Sequence, residues 1–193
     1  MTILTPRRLS AAFALVLALP AAAETYKIDP VHSAVGFRVK HMAVTRVTGR
    51  FTKFSGTINL DPANISKSSV DVSIDTASIA TDNDMRDKHL RTPDFFDADK
   101  YPAITFKSTS VKEVAKGQLE VTGTFTLKGV SKTIVIPVKE WATAPGMQPN
   151  SMNAGMEASL VINRADFNVG VSKFDAVVGK DVEINLTVEA NRQ

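Results

Sequence analysis

Residues Gln118 to Glu140 read QLEVTGTFTLKGVSKTIVIPVKE. Leu119, Val121, Gly123, Phe125 and Leu127 fall on one parity, with Glu120 and three threonines on the other. Period two is the signature of a strand with one apolar face. The turn Lys128-Gly129-Val130-Ser131 reverses the chain into Thr133–Glu140, where Ile134, Ile136 and Val138 again share a face. Pro137 has no amide to give to a ladder, so this return strand is expected at an edge, or irregular, at that point.

The same alternation recurs along the chain. Ser33–Met42 puts Val35, Phe37 and Val39 on one side and Arg38 and Lys40 on the other. Phe51–Leu60 aligns Phe54, Ile58 and Leu60; Phe51 has the wrong parity, which predicts a bulge near Thr52–Lys53. Ser68–Ser78 offers Val72 and Ile74 beside Val70, and Ala103–Val111 offers Ile104 and Phe106. Met152–Ile162 contributes Met156, Leu160 and Ile162, and Asp181–Glu189 contributes Ile184 and Leu186 between Val182 and Val188. Ala142–Ser151, with two prolines and a glycine, reads as a long exposed loop. Many strands, short hairpins and almost no helix predict an all-β antiparallel sandwich or barrel. Closing about eight strands gathers every apolar face inside and removes the edges.

Met85 to Phe106 (MRDKHLRTPDFFDADKYPAITF) breaks the pattern. Thr81 with Asp84 three residues on resembles a capping box, and Thr92 before Pro93 is pushed from helical angles. A short helix is therefore expected to lie across one barrel opening, turning Leu90, Phe95 and Phe96 inward. The predicted lining is then these three with Val35, Phe37, Val39, Phe54, Ile58, Val72, Ile74, Ile104, Phe106, Leu119, Val121, Phe125, Ile134, Ile136, Met156, Leu160, Ile184 and Leu186. Gly36, Gly56 and Gly123 interrupt the apolar faces, either to leave space for a ligand or to permit bends.

Residues 1–23 have Arg7 and Arg8, an apolar run from Ala11 to Leu19, and small residues at Ala21 and Ala23. This is the layout of a secretory signal peptide cleaved before Glu24, which implies the periplasm and one mature domain over residues 24–193. Two of the 23 Lys+Arg lie in that leader, so the remainder nearly balances the 20 Asp+Glu. Interspersed charges of both signs give no footprint for nucleic acid. One Trp and two Tyr cannot build the aromatic girdles of a membrane barrel, so the apolar faces are assigned to the inside of a water-soluble barrel.

No cysteine is present, and His32, His41 and His89 show no metal-binding spacing. There is no G-x-S-x-G elbow or G-x-G-x-x-G. Gly179-Lys180 lacks the rest of a phosphate loop. The carboxylates from Asp82 to Asp99 alternate with Arg86, Lys88, Arg91 and Lys100, as a solvated ion-pair surface does. No catalytic residue and no cofactor are assigned. His89 with nearby Asp and Arg residues is the minor enzymatic alternative.

Six blocks in order carry a resemblance: IDPVHSAVGF (Ile28–Phe37), GRFTKFSG (Gly49–Gly56), RDKHLRTPDFFD (Arg86–Asp97), YPAITFKS, LKGVSK and INRADF. Together they resemble the YceI-like family of bacterial periplasmic proteins over essentially all of residues 24–193. Asn168 is a departure, since glycine often follows R-x-D-F in the family. The resemblance implies an extended eight-stranded, lipocalin-like barrel with an apolar pore. It also implies binding of a long polyisoprenoid, a quinone-type molecule or another long-chain amphiphile such as a fatty amide. A stress-related interaction protein with a filled barrel is the other expectation, and two chains could pair as a homodimer near Pro137. Arg38, His41 or Asn163-Arg164 are candidates for a head group at the mouth, although the last pair could instead hold a turn.

Overall fold

The computed structural model describes residues 23–193; the predicted signal peptide lies almost entirely outside them. Eleven strands follow one another: β1 (Glu24–Ile28), β2 (Ala34–His41), β3 (Thr45–Phe51), β4 (Phe54–Leu60), β5 (Ser69–Asp75), β6 (Ile79–Ala80), β7 (Ala103–Ala115), β8 (Gln118–Leu127), β9 (Val130–Pro145), β10 (Met152–Asn163) and β11 (Val178–Arg192). The single α-helix among the described residues, α1 (Asp84–Leu90), lies between β6 and β7. The sheet order β1-β4-β5-β7-β8-β9-β10-β11 closes because β1 also pairs with β11, and β2, β3 and β6 extend from the same edge of β11. All pairings are antiparallel. β1 with β2, β3 with β4, and β5 with β6 each form one bent strand, so the closed barrel has eight.

The bends are built from short polar side chains. Between β1 and β2 the ladder to β11 is interrupted, and Ser33 replaces it. Its Oγ accepts from the Glu189 amide at 2.9 Å and donates to the Glu189 carbonyl at 3.1 Å. The Asp29 amide also donates to that carbonyl, at 2.8 Å. At the β3–β4 break, the Lys53 amide donates to Ser78 Oγ at 3.1 Å, and that hydroxyl donates to the Asp75 carbonyl at 2.6 Å. Phe51 is buried despite its parity because this break resets the alternation.

The Gln118–Leu127 strand is found with the boundaries its alternation predicts. Lys128 and Gly129 both adopt positive φ (49° and 75°), the two-residue turn that matches the twist of a hairpin. One expectation needs correction. β9 runs to Pro145 and β10 starts at Met152, so only residues 146–151 form the expected long loop. The expectation at Pro137 holds: it pairs with Glu120 of β8 on one side. On the other side the β9–β10 ladder shifts register between Glu157 and Ala158 and ends at Val138, leaving a local edge within the wall.

Inward side chains form two buried clusters. The larger, including Phe95, Phe106, Phe125 and Phe167, runs along the barrel to the helical end. The smaller, around Tyr26, Ile58, Leu60 and Ala190, closes the opposite end. Arg38, Lys40, Lys107 and Glu120 point outward and are exposed.

Candidate functional site

Between the clusters lies a lumen of about 220 Å³, against ~10–15 Å³ for one water on a comparable scale. It runs from Ile28, Ile58 and Val188 at one end to Leu90, Phe95 and Phe96 at the other. On β11 its wall extends from Val178 to Val188, on the order of 30 Å of strand. Every lining side chain is apolar except that of Arg164.

Arg164 is 3 % exposed and has no donor to spare. Its Nε donates to the Gly179 carbonyl at 3.0 Å; Nη1 donates to the carbonyls of Val169 (2.9 Å) and Gly170 (3.1 Å). Nη2 donates to the Val178 carbonyl at 2.7 Å and to Asp175 Oδ1 at 2.9 Å. The guanidinium fork thus ties the chain after β10 to the start of β11. Asn163 caps the intervening Arg164–Phe167 turn by accepting from the Ala165 amide at 3.0 Å. Both residues hold this turn, as one of the two sequence-based alternatives has it. Asn168 ends it at φ 56°, a left-handed conformation that asparagine tolerates where glycine is usual.

The segment from Thr81 to Tyr101 covers this same end, the Val171 amide donating to the Asp94 carbonyl at 3.0 Å. The helix cap differs from expectation: Asn83, not Thr81, accepts from the Arg86 amide at 3.0 Å. Thr81 instead gives its amide and hydroxyl to the buried Asp87 carboxylate. Arg91 reaches back to the carbonyls of Ala77 (2.7 Å) and Ile79 (3.0 Å), fastening α1 to the rim. Phe95 stacks on Phe174 at 4.9 Å and meets the edge of His89 at 5.1 Å. Phe96 packs edge-on against Phe51 at 5.8 Å. Asp94 holds this corner, lying 3.1 Å from His89 Nε2 and 3.2 Å from Lys173 Nζ. Those two partners, His89 first, hold its carboxyl below the usual range.

Of the side chains predicted to line the pore, all except Leu119 lie on the lumen wall. Leu119 is 6 % exposed and pairs with Glu113 and with the lumen-lining Val138, but it is not itself part of the wall. Sequence parity missed Phe51 and Val178, which lie beside a strand break and a register shift, and Ala158, Val169 and Ile28. Of the three glycines, Gly56 and Gly123 leave no room, since a Cβ at Gly123 would lie 2.5 Å from the Phe106 ring and one at Gly56 2.9 Å from Ile28. At Gly36, by contrast, nothing comes nearer than the Asn185 carbonyl at 3.6 Å. Gly56 and Gly123 thus seat these neighbours. Arg38 pairs with Glu183 on the outer surface. Asp29, His32 and Glu189 come together at the β1–β2 break, where Asp29 also accepts from the Val31 amide.

Two tests follow from these anchors. Arg164→Met leaves several buried carbonyls without donors and should cost about 3–5 kcal/mol in urea denaturation. A loss under about 1 kcal/mol would contradict the clasp. Asp94, with its pKa lowered on folding, stabilises the cap above the ordinary carboxyl value of about 3.9 and loses this effect as pH falls through the lower folded value. The ring resonances of Phe95 and Phe174 should therefore shift in NMR spectra below about pH 4, and Asp94→Asn should show the shift near neutral pH. Unchanged rings in that variant would remove the latch role.

A YceI-like domain model matches residues 26–190. A UPF0312 protein of Vibrio cholerae is 39% identical over 178 residues, covering 90% of this chain and 92% of the relative. The crystal structure of Burkholderia cenocepacia BcnA superposes with a TM-score of 0.76 at 30% identity, covering 84% of this chain and 98% of that one. A polyisoprenoid binding domain from Saccharophagus degradans has the same fold, with a TM-score of 0.66 at 18% identity and coverage of 90% and 100%. With a match spanning nearly every described residue, an aromatic-sealed barrel and an apolar lumen, this chain belongs to the YceI-like family.

Proposed function

We propose that this protein is a periplasmic carrier or reservoir that holds a long isoprenoid, quinone-type or similar amphiphilic chain in its lumen and performs no chemistry on it. One observation carries the reading: the lumen is long and its only polar side chain, Arg164, has spent its donors on the protein itself. Such a wall attracts hydrocarbon and has nothing with which to activate it. His89, the candidate for enzymatic work, is half exposed and engaged with Asp94. The polyisoprenoid binding named for the Saccharophagus domain points to the same ligand class.

Each CH₂ moved from water into this wall contributes about 0.8 kcal/mol. A chain of ~20 carbons therefore gains roughly 16 kcal/mol gross, against about 4–15 kcal/mol for lost freedom. The surplus supports a tight, non-covalent complex selected by length and bulk. A barrel filled by its own side chains would leave no space for this; the observed lumen favours the binding reading.

Native mass spectrometry of protein from its own host, followed by organic extraction, should reveal a bound apolar molecule. Protein that emerges empty and takes up neither decylubiquinone nor a long fatty amide would refute the proposal. Phe95 and Phe96 separate sealing from binding. Phe95→Ala, which removes a buried stacked ring, should cost about 3–5 kcal/mol. Phe96→Ala should be milder in stability, yet should raise the release rate of decylubiquinone about tenfold or more, a loss of ~1.4 kcal/mol or more. Equal release from Phe96→Ala and the unaltered protein would limit the cap to a structural seal.

A further inference from the structure

The barrel wall has a seam. Pairing between β9 and β10 ends at Val138 and Ala158. Beyond that point Val130–Pro137 pairs only with β8, and Ser159–Asn163 only with β11. No further residue pair joins these two edges among the described residues. Pro137, lacking an amide, is the first residue past the last pair, and the register shift at Glu157/Ala158 immediately precedes the separation.

The side chains along the seam differ from the rest of the barrel's exterior. If the register of Val138 with Ala158 continued, Val135 would face Val161, and Ile134 and Ile136 would face Ile162 and Leu160. Val135 is 48% and Val161 60% exposed, so two apolar side chains stand on opposite lips, facing water. Immediately inside, the two isoleucines of β9 and the Leu160/Ile162 pair line the lumen. In both strands this breaks the alternation into an apolar triplet, Ile134-Val135-Ile136 and Leu160-Val161-Ile162. Ser131, Thr133, Ser159 and Asn163 complete the outer positions, all uncharged. The seam is stopped at one end by the last ladder pair. At the other end stands the Arg164–Phe167 turn, where Phe167 meets Phe125 at 5.3 Å and Asp166 lies 3.2 Å from Lys132.

We propose that this seam is a lateral portal through which the chain of an amphiphilic ligand enters and leaves the lumen, with its head group kept in water between the lips. Side chains pack both ends of the barrel, the Tyr26 cluster at one and the anchored aromatic cap at the other. Separating these two edges of β9 and β10 opens no ladder pair, whereas lifting the cap breaks several hydrogen bonds. An apolar path from outer lip to inner wall lets a hydrocarbon tail cross without meeting a charge. The proposal rests on the lumen being a lipid site, and the test below separates the two.

The chain has no cysteine and one tryptophan, Trp141. Val135→Cys/Val161→Cys can therefore be joined across the seam by a short bifunctional thiol reagent, and decylubiquinone exchange can be followed by quenching of Trp141. Cross-linking should slow both uptake and release by about tenfold or more while leaving equilibrium affinity unchanged, a kinetic effect of ~1.4 kcal/mol or more. Ser73→Cys/Thr105→Cys, joined across the intact β5–β7 ladder, should exchange at the normal rate. Normal exchange through the locked seam, with binding intact, overturns the portal alone. Absence of quinone binding in the unaltered protein overturns the lumen assignment and the portal with it. As a ligand-independent check, the β10-facing amides of Val130–Pro137 should exchange hydrogen faster than those of Val138–Pro145. Equal protection, or a solution dimer that shields them, would mean that another strand occupies these edges and would also overturn the proposal.

Discussion

The pairing of β1 back onto β11 is the constraint from which the remaining architecture follows. Eight antiparallel strands with one apolar face each can hide those faces by packing a second sheet against them or by closing. Closure through Tyr26, Lys27 and Ile28 onto Arg192, Asn191 and Ala190 commits the chain to the second solution. It also directs the charged alternate positions to water. At eight strands an interior can be filled by side chains or can hold a ligand. The inner wall here is largely Val, Ile and Leu, which do not reach the axis over the whole length. The large rings instead gather near the helical end, and the space between the clusters stays open.

A closed barrel removes edges along its strands but not at its ends, where bent chains must cross from one strand to the next. This protein assigns single polar residues to that task. Ser33 stands in for a ladder partner at one bend, Ser78 at another, and Arg164 joins five acceptors at the third junction. Burying an unpaired cation would be prohibitive, whereas a guanidinium with every donor engaged can serve as a rivet. Its satisfaction also explains why one positive charge beside an apolar lumen does not make that lumen an anion site.

Alternation made the inner faces legible in the sequence, and with them nearly all of the wall. Phe125, Ile184 and Leu186 needed nothing beyond parity. Phe51 did not yield to that rule because the Thr52–Lys53 break inverts it, although the wrong parity itself exposed the break. Leu119 shows the converse limit: parity specifies which way a side chain points, not whether the space before it is empty. Neither Gly56 nor Gly123 could be assigned to space or packing until Ile28 and Phe106 were placed across from them. Arg164 was similarly open, since its choice between a ligand and five backbone and carboxylate partners depends on loops brought together only by folding. The Ala142–Ser151 reading failed because polar, proline-containing sequence is compatible with a strand when the partner strand supplies the ladder, as β10 does through Ala144 and Pro145.

On the proposed carrier reading, the β9–β10 seam bears on how a capped lumen exchanges its contents. Natural sheets usually protect unpaired edges with charge, particularly lysine, because such edges recruit other strands. Here a proline withholds one amide beside the end of the ladder, and a register shift turns the edges apart, but the lips carry valine instead of charge. A lysine or glutamate there would oppose aggregation as well as the passage of hydrocarbon. The pair of valines discourages only a strongly hydrated visitor. Backbone geometry thus limits pairing with another strand while side-chain chemistry permits a tail to cross. Because the hydrophobic contribution grows with each buried methylene and has no direction, a tail can be drawn in progressively while its head group remains hydrated. The head group need never be stripped of water, and the lumen needs no polar side chain to receive it.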